Sequence, residues 1–205
     1  MITRRYALGG LFATPLLHFT PLSDEDLWAR SLIAAARAQI GVTTGYDPAY
    51  TALDYPRGDI PRSTGVCTDV VIRAYRDSLD FDLQESVHED MKADFEAYPN
   101  IWRLHRPDRN IDHRRVPNLE TYFRRRGAAH SPPGPDDDAW TPGDIVTMRV
   151  GGRPHIGIVS DRSAASGRLG VIHNIGWGTQ EEDILADFTL VTRNRFRPPN
   201  TGAGH

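Results

Sequence analysis

Cysteine is all but missing from this chain: among 205 residues there is one, Cys67. That excludes an internal disulfide, and with it the cross-linked scaffold of many small secreted domains. Metal-binding spacings are missing too, with no HExxH, CxxC or HxxxH anywhere in the sequence. Charge of one sign is not in excess. The 24 Lys and Arg face 27 Asp and Glu, a formal net charge of −3, which gives no global case for a nucleic-acid partner. No apolar run is long enough to span a bilayer as a helix; the stretch from Ala7 to Phe19 is broken by Gly9, Gly10 and Pro15. No internal repeat is visible. What remains is 39% hydrophobic and 25% charged residues with 18 glycines and 15 prolines, the composition of a soluble, loop-rich globular domain.

The start, MITRRYALGGLFATPLLHFTPLS, places Arg4 and Arg5 ahead of the short apolar stretch, the shape of a signal peptide. Thr3-Arg4-Arg5 followed by Leu8 resembles a twin-arginine export signal, with Ala7 where a bulky apolar residue is usual. The expected division is an export signal over 1–22, a single domain over 23–200 and a tail over 201–205, with the protein periplasmic or extracellular. In an oxidising compartment structural cysteines pair, so a lone one is either intermolecular or a reactive thiol.

Cys67 lies in STGVCTDVVIRAYRD, where Val70, Val71, Ala74 and Tyr75 recur on one helical face. Ser63, Thr64 and Gly65 read as the loop end or cap, which puts the thiol in the first helical turn. Unpaired backbone N–H groups and the positive end of the dipole favour a thiolate there. The spacing thus predicts a thiol with a lowered pKa; a small buried cysteine that only packs is the plain alternative. Elsewhere, Ser23-Asp24-Glu25-Asp26 reads as a capping box opening a helix to Ile40, with Leu27, Leu32, Ala35, Ala36 and Ile40 on its apolar face and Gly41 as its stop. Polar helices are predicted over 84–97 and from Pro117 to Gly127. Beyond the linker SPPGPDDD (131–138), strands are predicted over 144–150, 155–161, 169–176 and 188–196, with hairpin turns at Gly151-Gly152 and Ser163–Gly167. Helices first and antiparallel strands second make an α+β domain.

Of eight histidines, His155 and His173 stand on adjacent predicted strands, where a hairpin can bring their side chains together. His88, His105, His113 and His130 fall in helices or loops, with no predicted strand to fix them. Asn174 follows His173 and so faces the opposite side of a regular strand. Trp140 and Trp177 flank the sheet and read as core. Asp69 reads as a helix-N-terminal acid worth ~0.3–1 kcal/mol, or as a contact to a substrate amine or to His155. Eight arginines crowd residues 103–126, among them Arg114 and Arg115 in NIDHRRVPN. These two can bind a substrate carboxylate, or pair with Asp108 or Asp112, or stay solvated.

Taken together, CTDVVIRAYR, WTPGDIV, HIGIVSD and VIHNIG resemble the motif order of the NlpC-type papain-like cell-wall peptidases. From about Gly45 to Phe196 the chain is also similar to an exported bacterial family of unknown function within that superfamily, on GVCTDVVIRAYR, NIDHRRVPNLETYF and HNIG. The resemblance implies a papain-like fold with the cysteine helix packed on an antiparallel sheet or small barrel. It implies an exported cysteine amidase or peptidase acting on peptidoglycan peptides without a cofactor. Cys67 would be the nucleophile, His155 the base and His173 the residue that orients it. Thr68 and Asp69 stand where such peptidases usually have serine and glycine, and the 110–118 insert has no counterpart in them. An acyltransferase using the same cysteine and a non-catalytic cell-wall-binding module on the same fold remain open, as does a zinc site built from Cys67, His155 and His173.

Overall fold

The computed structural model describes residues 23–199; the expected export signal over 1–22, Asn200 and the whole tail 201–205 lie outside the described residues. Helix α1 (Asp24–Arg37) buries Trp28, Ala29, Leu32, Ile33 and Ala36, the i, i+1, i+4, i+5, i+8 stripe of a helix with one covered side. The helix ends three residues before Ile40, and Leu27 and Ile40 are exposed. Leu27 lies one position ahead of the stripe, about 100° round the helix from Trp28, and so faces water. A parallel two-residue pair, β1 (Gly45–Tyr46) and β2 (Thr64–Gly65), leads into α2 (Cys67–Leu79). There follow α3 (Leu83–Ala93) and α4 (Val116–Arg125), close to the expected spans. Between α3 and α4 runs an irregular segment with three short 3₁₀ turns.

The sheet is antiparallel throughout and comprises β3 (Ala129–His130), β4 (Ile145–Val150), β5 (Arg153–Ser163), β6 (Leu169–Asn174), β7 (Thr179–Glu182) and β8 (Thr189–Asn194), in the order β3-β8-β4-β5-β6-β7. The predicted strands are all present, while β3 and β7 were not foreseen: the first spans two residues, and TQEE in the second has no apolar alternation. One face of the sheet carries Ile145, Ile156, Ile158 and Ile172 into a core shared with α1, α2 and α4. The other face carries Val146, Met148, Val159 and Val171 into a smaller cluster with Trp140, Ile184 and Leu185. Period-two alternation on β4, β5 and β6 serves both cores. The fold is therefore α+β, with α2 laid against the middle of the sheet.

Two residues of one turn fix the frame. In the Pro142-Gly143-Asp144 turn, Gly143 has φ +88°, and a Cβ there would stand 2.9 Å from the Ala29 Cβ; only glycine lets the turn close against α1. Asp144, fully buried, accepts the Thr141 N–H at 2.9 Å and pairs with Arg193 at 2.9 Å and Arg195 at 3.3 Å. A buried carboxylate so paired locks the start of β4 to the end of β8.

Candidate active site

Cys67 is the first residue of α2, as its sequence context predicts, but the cap differs from the expected one. Ser63 and Thr64 do not cap the helix. Asp69, at N3, reaches back to accept the Val66 N–H at 2.7 Å. Gly65 allows this: a Cβ there would lie 3.3 Å from the Asp69 side chain and 3.1 Å from Arg73. Asp69 in turn binds Arg114 through two parallel bonds, Nε to Oδ1 and Nη2 to Oδ2, both 2.9 Å. Both partners are buried. Arg114 also donates to the Ala49 and Asp47 carbonyls, and its own carbonyl accepts from the Thr68 hydroxyl. Four of its five N–H donors are thereby spent. The expectation that Arg114 meets a substrate carboxylate gives way to a structural one: it ties the 110–118 insert to the start of the cysteine helix. Asp69 likewise faces Arg114, and the contact to His155 raised for it is not formed. Its position at N3 was legible in the sequence; its partner, 45 residues away, was not.

On the sheet, β5 and β6 pair with Ile158 opposite Ile172. That register sets Gly157 across from His173 and His155 diagonal to it on the same face. A Cβ on Gly157 would come within 3.1 Å of the His173 Cβ and 2.5 Å of Val171, so the glycine of HIGIV makes room for the second histidine. The rings meet at right angles with His155 Nε2 and His173 Nδ1 3.0 Å apart. His173 Nε2 then lies 3.0 Å from Glu182 Oε2 on β7. Glu182 was missed because β7 was missed. Asn174, on the other side of the strand, donates to the Gly45 and Gly65 carbonyls, holding the β1–β2 pair, and so the approach to Cys67, against β6.

The polarity of this line follows from its acidic end. An ionised carboxylate only accepts hydrogen bonds, so His173 carries its proton on Nε2 and accepts at Nδ1; His155 then carries its proton on Nε2 and is left with a bare Nδ1. Both rings are neutral: burial lowers the His173 pKa to about 4, and burial together with the neighbouring His173 lowers that of His155 to about 3. Backbone N–H groups of Ile156, next to His155, and of the helix start at Cys67 and Thr68 act to lower the Cys67 thiol pKa. Burial outweighs those donors and pushes the thiol up to about 12. The low thiol pKa expected from a helix N-terminus is therefore overturned: the site is dry, and desolvation of a thiolate exceeds what the dipole returns.

A family model for a domain of unknown function, DUF1287, matches residues 33–196. The chain belongs to the DUF1287 family. It is 54% identical over 162 residues to the uncharacterized protein YijF of Escherichia coli (strain K12), a match covering 78% of each protein. In three dimensions it resembles an N-acetylmuramoyl-L-alanine amidase from Bacteroides uniformis ATCC 8492, with a TM-score of 0.50 at 14% identity over 82% of this chain and 98% of that one. At that identity the likeness is one of fold.

Around the cysteine of this DUF1287 domain lies a cleft of about 200 Å³, lined by Tyr46, Trp102, Arg115, Pro117 and Pro154 among others. Arg115 lies at the cleft, half-buried, and pairs with Asp112 at 3.0 Å. Trp140 is buried as expected, whereas Trp177 is 84% exposed: it sits between Gly176 (φ +148°) and Gly178 (φ +86°) in a turn that projects from the sheet. His113, placed by its sequence in a polar loop, is buried, and its pKa is lowered by that burial to about 3. Among the described residues no group of three His, Cys, Asp or Glu side chains converges to hold a metal ion, and no helix is long and apolar enough to cross a membrane.

Proposed function

We propose that this DUF1287 protein is an exported cysteine amidase or peptidase of papain-like, NlpC-type architecture that hydrolyses an amide bond in peptidoglycan peptides. One observation carries the reading: a cysteine at a helix N-terminus shares its core with Ile156, the residue after His155, and His155 heads a buried His155–His173–Glu182 line with successive contacts of 3.0 Å. A core residue that only packs has no use for a polarised chain of imidazoles. The fold likeness to a muramoyl-alanine amidase supports the wall as the source of substrate, and the Arg4-Arg5 segment supports export.

The chemistry starts from a neutral pair. As the substrate carbonyl arrives, the Cys67 S–H proton passes to the bare Nδ1 of His155 and Sγ bonds the carbonyl carbon. His155 becomes an imidazolium that His173 and Glu182 stabilise through the bonds already made. The carbonyl electron pair moves onto oxygen, where the backbone N–H of Cys67 at the helix start meets it. Collapse breaks the C–N bond, with the Nδ1 proton leaving on the amine, and an acyl-thioester remains. Water, deprotonated by the same Nδ1, releases the acid and restores the thiol.

The test is direct. Purified protein incubated with muropeptides is expected to produce new carboxyl and amino ends by mass spectrometry, and Cys67→Ala and His155→Ala to produce none. Products joined to an added amine would point to acyl transfer; binding without products would leave a wall-binding module.

A further inference from the structure

Two cavities share a wall. The cleft beside Cys67 and a second cavity of about 340 Å³, between α3 and the 95–105 segment, both have Trp102 and Arg115 on their linings. Arg115 differs from its neighbour Arg114. It gives one N–H to Asp112 Oδ1 at 3.0 Å, and its guanidinium stacks 4.0 Å from the centre of the Trp102 ring. Four of its five donors have no partner among the described residues. Asp112 is engaged on both oxygens, with Oδ1 accepting from Arg115 and Oδ2 from the Asp108 N–H. The guanidinium is thus held in a fixed plane by an anion on one edge and an aromatic face, with its other edge unspent. Asn118, also on the second cavity, donates through Nδ2 to the Asp112 carbonyl, while its buried Oδ1 has no partner. A buried acceptor left unpaired is costly unless a ligand or water completes it. Arg103 and Arg106, which flank Leu104 and His105 of that lining in the chain, are exposed.

We propose that this second cavity is the subsite for the free carboxylate end of a short peptide. The carboxylate sits on Arg115, a backbone N–H of the same residue satisfies Asn118 Oδ1, and the residue's side chain lies over Trp102. A planar guanidinium with a free edge suits two-point recognition of a carboxylate, and a cavity of this size takes one or two amino-acid residues. Resting on the reading of Cys67 as nucleophile, the shared wall sets the specificity: the amide presented to the thiol lies close to the carboxylate end of the peptide rather than in mid-chain.

Binding read without turnover tests this. In calorimetry on the Cys67→Ala protein, a stem tetrapeptide with a free terminal carboxylate is expected to bind at least tenfold more tightly than its terminal amide. Adding Arg115→Ala is expected to abolish that preference, and Arg115→Lys to restore part of it. The acid–amide comparison needs no change at Arg115, so it stands even where Arg115→Ala fails to fold. Equal affinity for acid and amide, a preference that survives Arg115→Ala, or no binding of either peptide at millimolar concentration overturns the subsite. The two readings fail separately. No cleavage by wild type with the preference intact contradicts the hydrolase and leaves the subsite, whereas cleavage of both peptides at equal kcat/KM overturns the subsite and leaves the hydrolase.

Discussion

At the scale of single residues, the placement of protons decides the chemistry. Glu182 sets the direction in which the histidine line donates, and therefore which nitrogen of His155 is free for the thiol. Removing its carboxylate by Glu182→Ala is expected to lower kcat by roughly tenfold or more, within the ~10²–10⁴-fold that general acid–base catalysis contributes, with KM little changed. Glu182→Gln, which keeps an acceptor oxygen toward His173, is expected to retain more activity than Ala; equal, wild-type kcat for both would remove Glu182 from the machinery. The thiol supplies a second test. With burial holding it up at about 12 and His155 down at about 3, neither group ionises between roughly pH 5 and 10. Iodoacetamide labelling of Cys67 is expected to rise with a midpoint well above the ~8.5 of a free cysteine. A midpoint below that value would mean a resting thiolate–imidazolium pair and would refute the neutral one. The positions of Cys67 and both histidines were legible because each sits where local pattern places it, a first helical turn or a strand face. Glu182 was not, since its strand carries no apolar alternation and its role exists only once β7 lies beside β6.

Elements are joined here by buried charge. The Asp69–Arg114 pair fastens the insert to the first turn of α2 and Arg73 fastens the preceding loop, through Asp59, to the middle of the same helix. Breaking a buried pair by removing one partner costs roughly 3–5 kcal/mol. Arg114→Ala is accordingly expected to lower the unfolding free energy measured in urea by an amount of that order and to reduce kcat by disturbing the start of α2, while the ratio of kcat/KM for acid and amide peptides stays as in wild type. A variant with wild-type stability and a lost carboxylate preference would return Arg114 to the substrate. The sequence exposed the arginines of NIDHRRVPN as a cluster, yet their division of labour follows from the fold. Arg114 precedes its neighbour by one residue in a 3₁₀ turn, and that step points one guanidinium at Asp69 and the other at Trp102. In the same way α1 was legible as a helix while its apolar face was off by one position, because Trp28 and Ile33, not Leu27 and Ile40, meet the core.

For the whole molecule, three buried histidines couple folding to pH. His113, His155 and His173 are held by burial at about 3, 3 and 4, below the ordinary value of 6.5. Above pH 6.5 they are neutral both folded and unfolded and add no pH dependence. As pH falls below 6.5 the unfolded chain takes up protons that the folded one refuses, so stability is lost progressively until the folded values are reached. Each histidine contributes a slope approaching ~1.4 kcal/mol per pH unit in that window. Urea denaturation is therefore expected to show a midpoint that falls between pH 6.5 and 4.5; a flat midpoint there would contradict the burial assigned to these rings. The α+β class was readable from the order of patterns along the chain, whereas the crossing of β8 to a place between β3 and β4 has no local signature. The central claim is that the chemistry passes through a thioester on Cys67, and the most direct measurement is intact-protein and peptide mass spectrometry of an acid-quenched reaction with muropeptide. The expected result is a substrate-derived acyl mass on the peptide containing Cys67, labile to hydroxylamine and absent from Cys67→Ala. Turnover by Cys67→Ala, or an adduct carried on any other residue, would contradict it.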